Sequence, residues 1–146
     1  MEDKYSMNEA VELCKSYSSQ GFACSESVCR ALADLYEISL NDDVNKVISV
    51  LAAGTIDDGR CGVLEAGLYI ASHLYMTGRI KKGVSLEEIS IHLHKEFEQF
   101  YGGYQCYEIY YPGYEKFQRR QPKQGRFRCA FFDGIILIVN CLNRYM

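Results

Sequence analysis

Residues 61–76 read CGVLEAGLYIASHLYM, and this stretch decides the fold. Apolar and small residues recur through it at the spacing of a helix. They occur on every side of that helix, so we expect it to lie at the centre of the molecule. Small residues such as Gly67 and Ala71 would let neighbouring helices approach closely.

Weaker apolar stripes at steps of three and four residues precede and follow this segment, and each predicts a helix with one buried face. We therefore predict an all-α fold: a single compact bundle of about six helices, with residues 1–146 forming one domain. The stripes are Met7, Ala10, Val11, Cys14 and Tyr17; Val28, Leu32, Leu35 and Tyr36; Val44, Val47, Ile48 and Leu51; Leu86, Ile89, Leu93, Phe97 and Phe100; and Phe127 through Leu142.

Polar residues and glycines mark the predicted helix ends. The hydroxyl of Ser25 is expected to cap a helix that begins around Cys24, and Gly21 supplies the preceding stop. Ser85 and Glu88 have the spacing of a capping box. Between Tyr101 and Gly125 the helical pattern gives way to glycine, proline and tyrosine, which predicts a long Tyr/Gly-rich loop before the last helix.

Composition restricts the class of protein. The chain has 146 residues and a net charge of -3, which argues against nucleic acid as the main partner. The N-terminal residues lack an export signal, and the most apolar stretch, Ala130 to Leu142, is too short to span a bilayer. We expect a cytoplasmic protein that binds neither nucleic acid nor membrane.

Seven cysteines are many for a chain from a reducing compartment, where structural disulfides are uncommon. Cys14 and Cys141 lie in apolar stripes and are expected to be small buried hydrophobes. Cys29 borders the stripe of the second helix and is not a natural co-ligand of Cys24 within one helix. The remaining cysteines are Cys24, Cys61, Cys106 and Cys129.

The surroundings of these four cysteines favour the thiolate, the form that binds metal or attacks a disulfide. Cys24 and Cys61 fall at predicted helix N-termini, where unpaired N–H groups and the helix dipole stabilise an anion. Cys129 lies beside Arg126 and Arg128, and Cys106 follows a glycine-rich segment. No CxxC pair, HxxxH pair, CxxCH, P-loop or HExxH motif occurs, and the three histidines are isolated from one another on their predicted helices.

The segments GFACSESV at residues 21–28 and GRCGVLEAG at residues 59–67, followed by Cys106 and Cys129, resemble the C_GCAxxG_C_C family of redox-active proteins. The resemblance implies a helical domain, a redox role and the binding of an iron-sulfur cluster, because the family is similar to the non-haem part of split-Soret cytochromes. Val63 stands where the family usually has alanine, and the Tyr-rich insertion before Cys129 is less typical of it.

Three functional hypotheses follow. In the first, Cys24, Cys61, Cys106 and Cys129 bind an iron-sulfur cluster, or alternatively zinc, and the protein exchanges electrons with a partner. In the second, no metal is bound and Cys24 and Cys61 carry out thiol-disulfide exchange. In the third, the tyrosines between 101 and 114 line a non-redox ligand pocket or a homodimer surface.

Overall fold

Helices make up most of the computed structural model, which describes residues 5–53, 61–103 and 131–146. Within these residues there are six helices and no strand, so the all-α prediction is confirmed. The helices are α1 (Met7–Ser19), α2 (Cys24–Tyr36), α3 (Asp42–Ala53), α4 (Gly62–Met76), α5 (Leu86–Tyr101) and α6 (Phe131–Asn143).

The segment at 61–76 forms the central helix α4, as predicted. It packs against α2, α3, α5 and α6, and most of its side chains are buried. At Gly67 a Cβ atom would lie only 2.7 Å from Ile138 Cδ1 of α6. The missing side chain at this position therefore allows α4 and α6 to pack closely.

Two helices begin with a serine side-chain cap, and α3 begins with the cap that Asn41 Oδ1 provides to the Val44 N–H. Ser85 Oγ accepts the Glu88 N–H at the start of α5, which confirms the serine cap of the predicted capping box, and Ser6 Oγ accepts the Glu9 N–H at the start of α1. The turn between α1 and α2 contains Gly21 at a φ of +96°, a conformation that favours glycine.

The prediction that Ser25 caps α2 is wrong. The N-cap residue is Ala23, and Ser25 lies inside the first turn of the helix. Its side chain is fully buried and donates a hydrogen bond to the backbone oxygen of Ile48 in α3, at 2.6 Å. The hydroxyl therefore faces the neighbouring helix instead of the N–H groups of its own.

Two residues assigned to buried stripes are exposed. Val47 of α3 is 61% exposed and Phe100 of α5 is 58% exposed. Each lies at the edge of its apolar stripe, where helical spacing alone does not distinguish the covered face from its border. The centres of the same stripes, Ile48, Ile89, Leu93 and Phe97, are buried as predicted.

Contacts between helix ends establish the directions of the first two helices and the last. Gly21 lies in the turn that joins α1 to α2, and α3 runs back along α2 to reach Ser25. Tyr5, just before α1, exchanges two hydrogen bonds with the Asn143 side chain at the end of α6, and Lys15 Nζ lies 5.7 Å from the Phe132 ring centroid at the described start of α6. α1 and α6 are therefore antiparallel.

The central helix runs parallel to α2. Arg79, three residues beyond the end of α4, donates from Nη1 to the backbone oxygen of Tyr36, the last residue of α2, at 2.6 Å. In the first half of α5, His92 contacts Tyr145, just beyond the end of α6, so α5 and α6 are antiparallel.

These directions bring the N-termini of α2, α4 and α6 to one end of the bundle, together with the C-termini of α1, α3 and α5. We call this the cysteine end, because Cys24 and Cys61 lie there. Most of the predicted Tyr/Gly-rich loop, the residues before Phe131 in the predicted last helix, and Cys106 and Cys129 lie outside the described residues.

Candidate functional site

Cys24 is the first residue of α2 and is half-buried. The residue before it, Ala23, has an extended backbone and makes no side-chain hydrogen bond to the first turn. The Ala23 carbonyl oxygen accepts the Ser27 N–H at 2.8 Å, so the helical ladder begins directly at this point. The Cys24 sulfur thus belongs to the turn whose N–H groups carry the positive end of the helix dipole.

Cys61 is the N-cap residue of α4 and is only 3% exposed. Its backbone is extended, with φ -61° and ψ 127°, and its carbonyl oxygen accepts the Glu65 N–H at 3.0 Å. No side-chain cap bond is made at this helix start either. Both motif cysteines that the structure describes therefore occupy helix N-termini, as the sequence predicted.

These two helix starts differ from those of α1 and α5. Where α1 and α5 use the hydroxyls of Ser6 and Ser85 as caps, α2 and α4 have Cys24 and Cys61 at or beside the cap position. A thiolate at such a position is favoured by the same N–H groups that a serine hydroxyl would otherwise satisfy. The structure thus has a sulfur, in place of a capping hydroxyl, at each of these two helix starts.

The other described cysteines are buried thiols with a different character. Burial raises the pKa of Cys14, Cys29 and Cys141 to about 12 in each case. The expectation that Cys14 and Cys141 are buried is confirmed, since both are 0% exposed. They are therefore neutral near pH 7 and poor nucleophiles.

Cys14 lies close enough to Cys24 for a negative charge on Cys24 to raise the Cys14 pKa further, after the larger effect of burial. The two residues come from α1 and α2, which are joined by the turn at Gly21. A second thiol, protonated near pH 7, therefore lies near Cys24. None of the five described cysteines is in a disulfide bond.

One set of contacts in the first half of α2 was missed from the sequence. Arg30 donates from Nε and Nη2 to Glu26 Oε2, at 3.0 and 2.8 Å, and its guanidinium lies 4.3 Å from the Phe22 ring centroid. This contact fixes Phe22, two residues before Cys24, against α2. Glu26 and Arg30 have the i,i+4 spacing of helical ion pairs, so the sequence could have predicted this ion pair.

Two of the three described histidines, His92 and His94, have other partners. His92 Nδ1 lies 2.8 Å from the Tyr145 hydroxyl and its Nε2 lies 3.0 Å from Glu96 Oε1, while His94 Nδ1 lies 2.7 Å from the Ser90 carbonyl oxygen. Among residues 5–53, 61–103 and 131–146, no group of three His, Cys, Asp or Glu side chains is arranged to hold a metal ion. A metal centre that includes Cys24 and Cys61 would need ligands from elsewhere in the chain.

These features define an all-α protein with cysteines at the N-termini of two parallel helices. The family model described as "Putative redox-active protein (C_GCAxxG_C_C)" matches residues 22–135, and the chain belongs to this family. No curated protein and no solved structure matches the chain. No helix in the described ranges is long and apolar enough to cross a membrane.

Proposed function

We propose that this protein is an electron carrier that binds an iron-sulfur cluster through Cys24, Cys61, Cys106 and Cys129 at the cysteine end. The observation that carries the proposal is that the helix directions bring the N-termini of α2 and α4, with Cys24 and Cys61, to the same end of the bundle as the described start of α6. Membership of a redox-active family supports the same conclusion.

The electrostatics of the cysteine end suit such a group. A cluster held by four thiolates is an anionic assembly, and helix N-termini stabilise negative charge through their dipoles and free N–H groups. When bound, the cluster would accept or release one electron at a time. Cys61 is only 3% exposed, so water would have little access to the cluster beside it. The helix dipoles and this low solvent exposure would both influence the reduction potential of the cluster.

The positions of Cys106 and Cys129 in the chain are compatible with this ligand set. Cys129 precedes Phe131, where the described part of α6 begins, by two residues, and Cys106 follows the end of α5 by five residues. The end of α5 and the start of α6 both lie at the cysteine end. The proposal needs both residues as ligands, because the described residues alone offer no three-ligand group.

The test is metal analysis of protein purified without oxygen. We expect iron and sulfide in equal amounts, with a broad visible absorption that bleaches on reduction. Cys61→Ser and Cys129→Ser should each lose this absorption, whereas the control Cys141→Ala should keep it, because Cys141 is buried near the opposite end of the bundle. Zinc without iron would indicate a structural zinc site in place of the proposed cluster, since four thiolates can bind either one. Absence of iron, sulfide and zinc would overturn the proposal.

The second candidate function, thiol-disulfide exchange, is favoured by the unequal exposure of Cys24 and Cys61. The half-buried Cys24 thiolate would attack a substrate disulfide and release one substrate thiolate, forming a mixed disulfide. The buried Cys61 thiolate would then attack Cys24 Sγ and release the second substrate thiol. The substrate gains two electrons and two protons, and Cys24 and Cys61 become a disulfide.

Alkylation across pH separates this candidate from a metal site. The alkylation rate of Cys24 by iodoacetamide is measured against pH in metal-free protein. Thiol-disulfide exchange requires the midpoint of this profile to lie well below the ordinary cysteine pKa of about 8.5. Cys29 serves as the internal control, because its raised pKa makes it slow. Equally slow reaction of Cys24 and Cys29 near neutral pH would remove this candidate.

A further inference from the structure

A cleft lies at the end of the bundle opposite the cysteine end. Its volume is about 310 Å³, which is within the range of small-molecule sites in proteins. Three separate segments line it: Tyr5 before α1, residues 78–81 after α4, and Met146 beyond α6. No cysteine lines this cleft, so it is distinct from the site that contains Cys24 and Cys61.

Two basic side chains, Arg79 and Lys81, belong to the lining of the cleft. Arg79 is half-buried, and its guanidinium donates from Nη1 to the Tyr36 carbonyl oxygen at 2.6 Å and from Nη2 to the Tyr5 hydroxyl at 3.0 Å. Lys81 Nζ donates to the Arg144 carbonyl oxygen at 3.2 Å. All three acceptors are uncharged, so these bonds orient the two cations without neutralising them.

Neither cation has a carboxylate partner among the described residues. The ion pairs within residues 5–53, 61–103 and 131–146 involve Lys15, Arg30 and His92 instead. The cleft lining also contains no aspartate or glutamate. A guanidinium has five N–H donors and an ammonium three, so the bonds described above leave both groups with further donors. Two positive charges with unused donors at one cleft favour an anionic ligand.

The charge of this pair matches that of a phosphate group. A phosphate monoester carries about -1.5 to -2 charges near pH 7 and has three strong acceptor oxygens. Arginine binds such a group through its planar fork, and lysine binds it as a point charge. A carboxylate would neutralise only one of the two cations. Ile80 and Met146 add apolar surface to the cleft, which suits the carbon atoms of an ester better than inorganic phosphate.

We propose that this cleft binds the phosphate group of a small phosphate monoester, with Arg79 and Lys81 as its cationic partners. The ligand would lie where the segment before α1, the end of α4 and the end of α6 meet. Its binding should therefore stabilise the folded state by mass action. This site is independent of the proposed electron-carrier function, because the proposed cluster ligands lie elsewhere in the chain.

The test is isothermal titration calorimetry of the full chain with glycerol 3-phosphate, at an ionic strength held constant with sodium chloride. Inorganic phosphate and acetate are the comparison anions, because the first lacks the ester carbons and the second carries one charge. The variant is Lys81→Gln, and the matched control is Lys82→Gln, since Lys82 is an exposed neighbour that does not line the cleft. Each variant removes one positive charge, and circular dichroism checks that helix content is unchanged.

We expect glycerol 3-phosphate to bind the wild type at one site, more tightly than inorganic phosphate or acetate, and to raise the unfolding temperature. Lys81→Gln should weaken this binding about tenfold, as expected for the loss of one charge-assisted contact. Lys82→Gln should weaken it by less than about twofold, because an exposed charge outside the cleft is screened by solvent.

Equal weakening in the two variants would overturn the proposal, because it would show a general effect of net charge. Absence of binding at millimolar glycerol 3-phosphate would also overturn it. Tighter binding of inorganic phosphate than of glycerol 3-phosphate would contradict the assignment to an ester and indicate a site for free phosphate. The iron and sulfide content of the protein is measured separately, so the electron-carrier proposal can fail without affecting this one.

Discussion

At the scale of single residues, Gly67 determines how closely α4 and α6 pack. A Cβ atom at this position would lie 2.7, 2.8 and 3.3 Å from three side-chain atoms of Ile138. Ile138 is fully buried and branched at Cβ, so its side chain has little freedom to move away. Glycine is kept here for closeness of packing, although it weakens a helix by about 1 kcal/mol relative to alanine.

Gly67→Ala should therefore destabilise the protein by about 1–3 kcal/mol through overpacking. The effect should change sign when Ile138 is shortened: in an Ile138→Ala background, Gly67→Ala meets no clash and gains helix propensity. Urea unfolding of the wild type, both single variants and the double variant measures this coupling. A loss of stability from Gly67→Ala that is equal in both backgrounds would show that the contact with Ile138 is not the cause.

The sequence predicted the small residues of α4 and their role, because glycine and alanine in an otherwise apolar helix let a neighbouring helix approach its backbone. It did not predict Ser25 correctly. A serine at a helix start is usually a cap, and only the position of α3 shows that this hydroxyl faces Ile48. Val47 and Phe100 were misplaced for a related reason, since exposure at the edge of a stripe depends on neighbours that the pattern does not contain.

At the scale of helices, the starts of α2 and α4 combine an extended cap residue with a cysteine and lack a side-chain cap. Ala23, the N-cap residue of α2, is exposed and accepts substitution without crowding. A capping side chain at this position would accept a hydrogen bond from an N–H group of the first turn that has no side-chain cap now.

Ala23→Asp should stabilise the protein by about 0.5–2 kcal/mol, because aspartate is a strong N-cap. Its charge should also raise the midpoint of Cys24 alkylation by up to about one pH unit, since a nearby carboxylate disfavours a thiolate. Ala23→Asn is the control, because it caps without a charge and should shift the midpoint less. Thermal unfolding and the alkylation profile together check both effects, and a lowered midpoint in Ala23→Asp would contradict them.

At the scale of the whole molecule, the two ends of the bundle are built differently. The end opposite the cysteines is fixed by polar contacts between distant segments: Arg79 donates to the Tyr36 carbonyl oxygen and to the Tyr5 hydroxyl, and Tyr5 exchanges two bonds with the Asn143 side chain. Tyr145 adds a contact with His92. The cysteine end presents helix N-termini and thiols, so structural and chemical roles are separated along the bundle.

The buried thiols make the stability of the molecule depend on pH on the alkaline side. Burial raises the pKa of Cys14, Cys29 and Cys141 from 9.0 to about 12, whereas the unfolded chain ionises near the lower value. Between these values the unfolded state binds fewer protons than the folded state, so stability is full below about pH 9 and falls as pH rises toward 12. Each thiol contributes a slope of about 1.4 kcal/mol per pH unit.

Urea unfolding at a series of pH values from 7 to 11 measures this slope. Cys141→Ala should be less stable than the wild type at pH 7, because it leaves a small cavity, but its stability should fall less steeply above pH 9. An unchanged slope in Cys141→Ala would mean that its thiol does not control the alkaline transition. The same slope can be compared between the wild type and alanine variants of Cys14 in α1 or Cys29 in α2.

The candidate site was partly predictable at this scale. Local sequence located Cys24 and Cys61 at helix starts, because turn glycines and apolar stripes mark those boundaries. That the two starts share one end of the bundle was not predictable from local pattern, since it depends on the parallel course of α2 and α4, which the Arg79–Tyr36 bond reveals. The placement of Cys106 and Cys129 at the same site stays a prediction.

The packing of Gly67 on Ile138 also has an evolutionary consequence. Because the side chains at these two positions occupy one small volume, their sizes should covary among the natural sequences of this family. Where a homologue has alanine at the position of Gly67, we expect valine or alanine at that of Ile138, and the summed volume of the pair should vary less than either member.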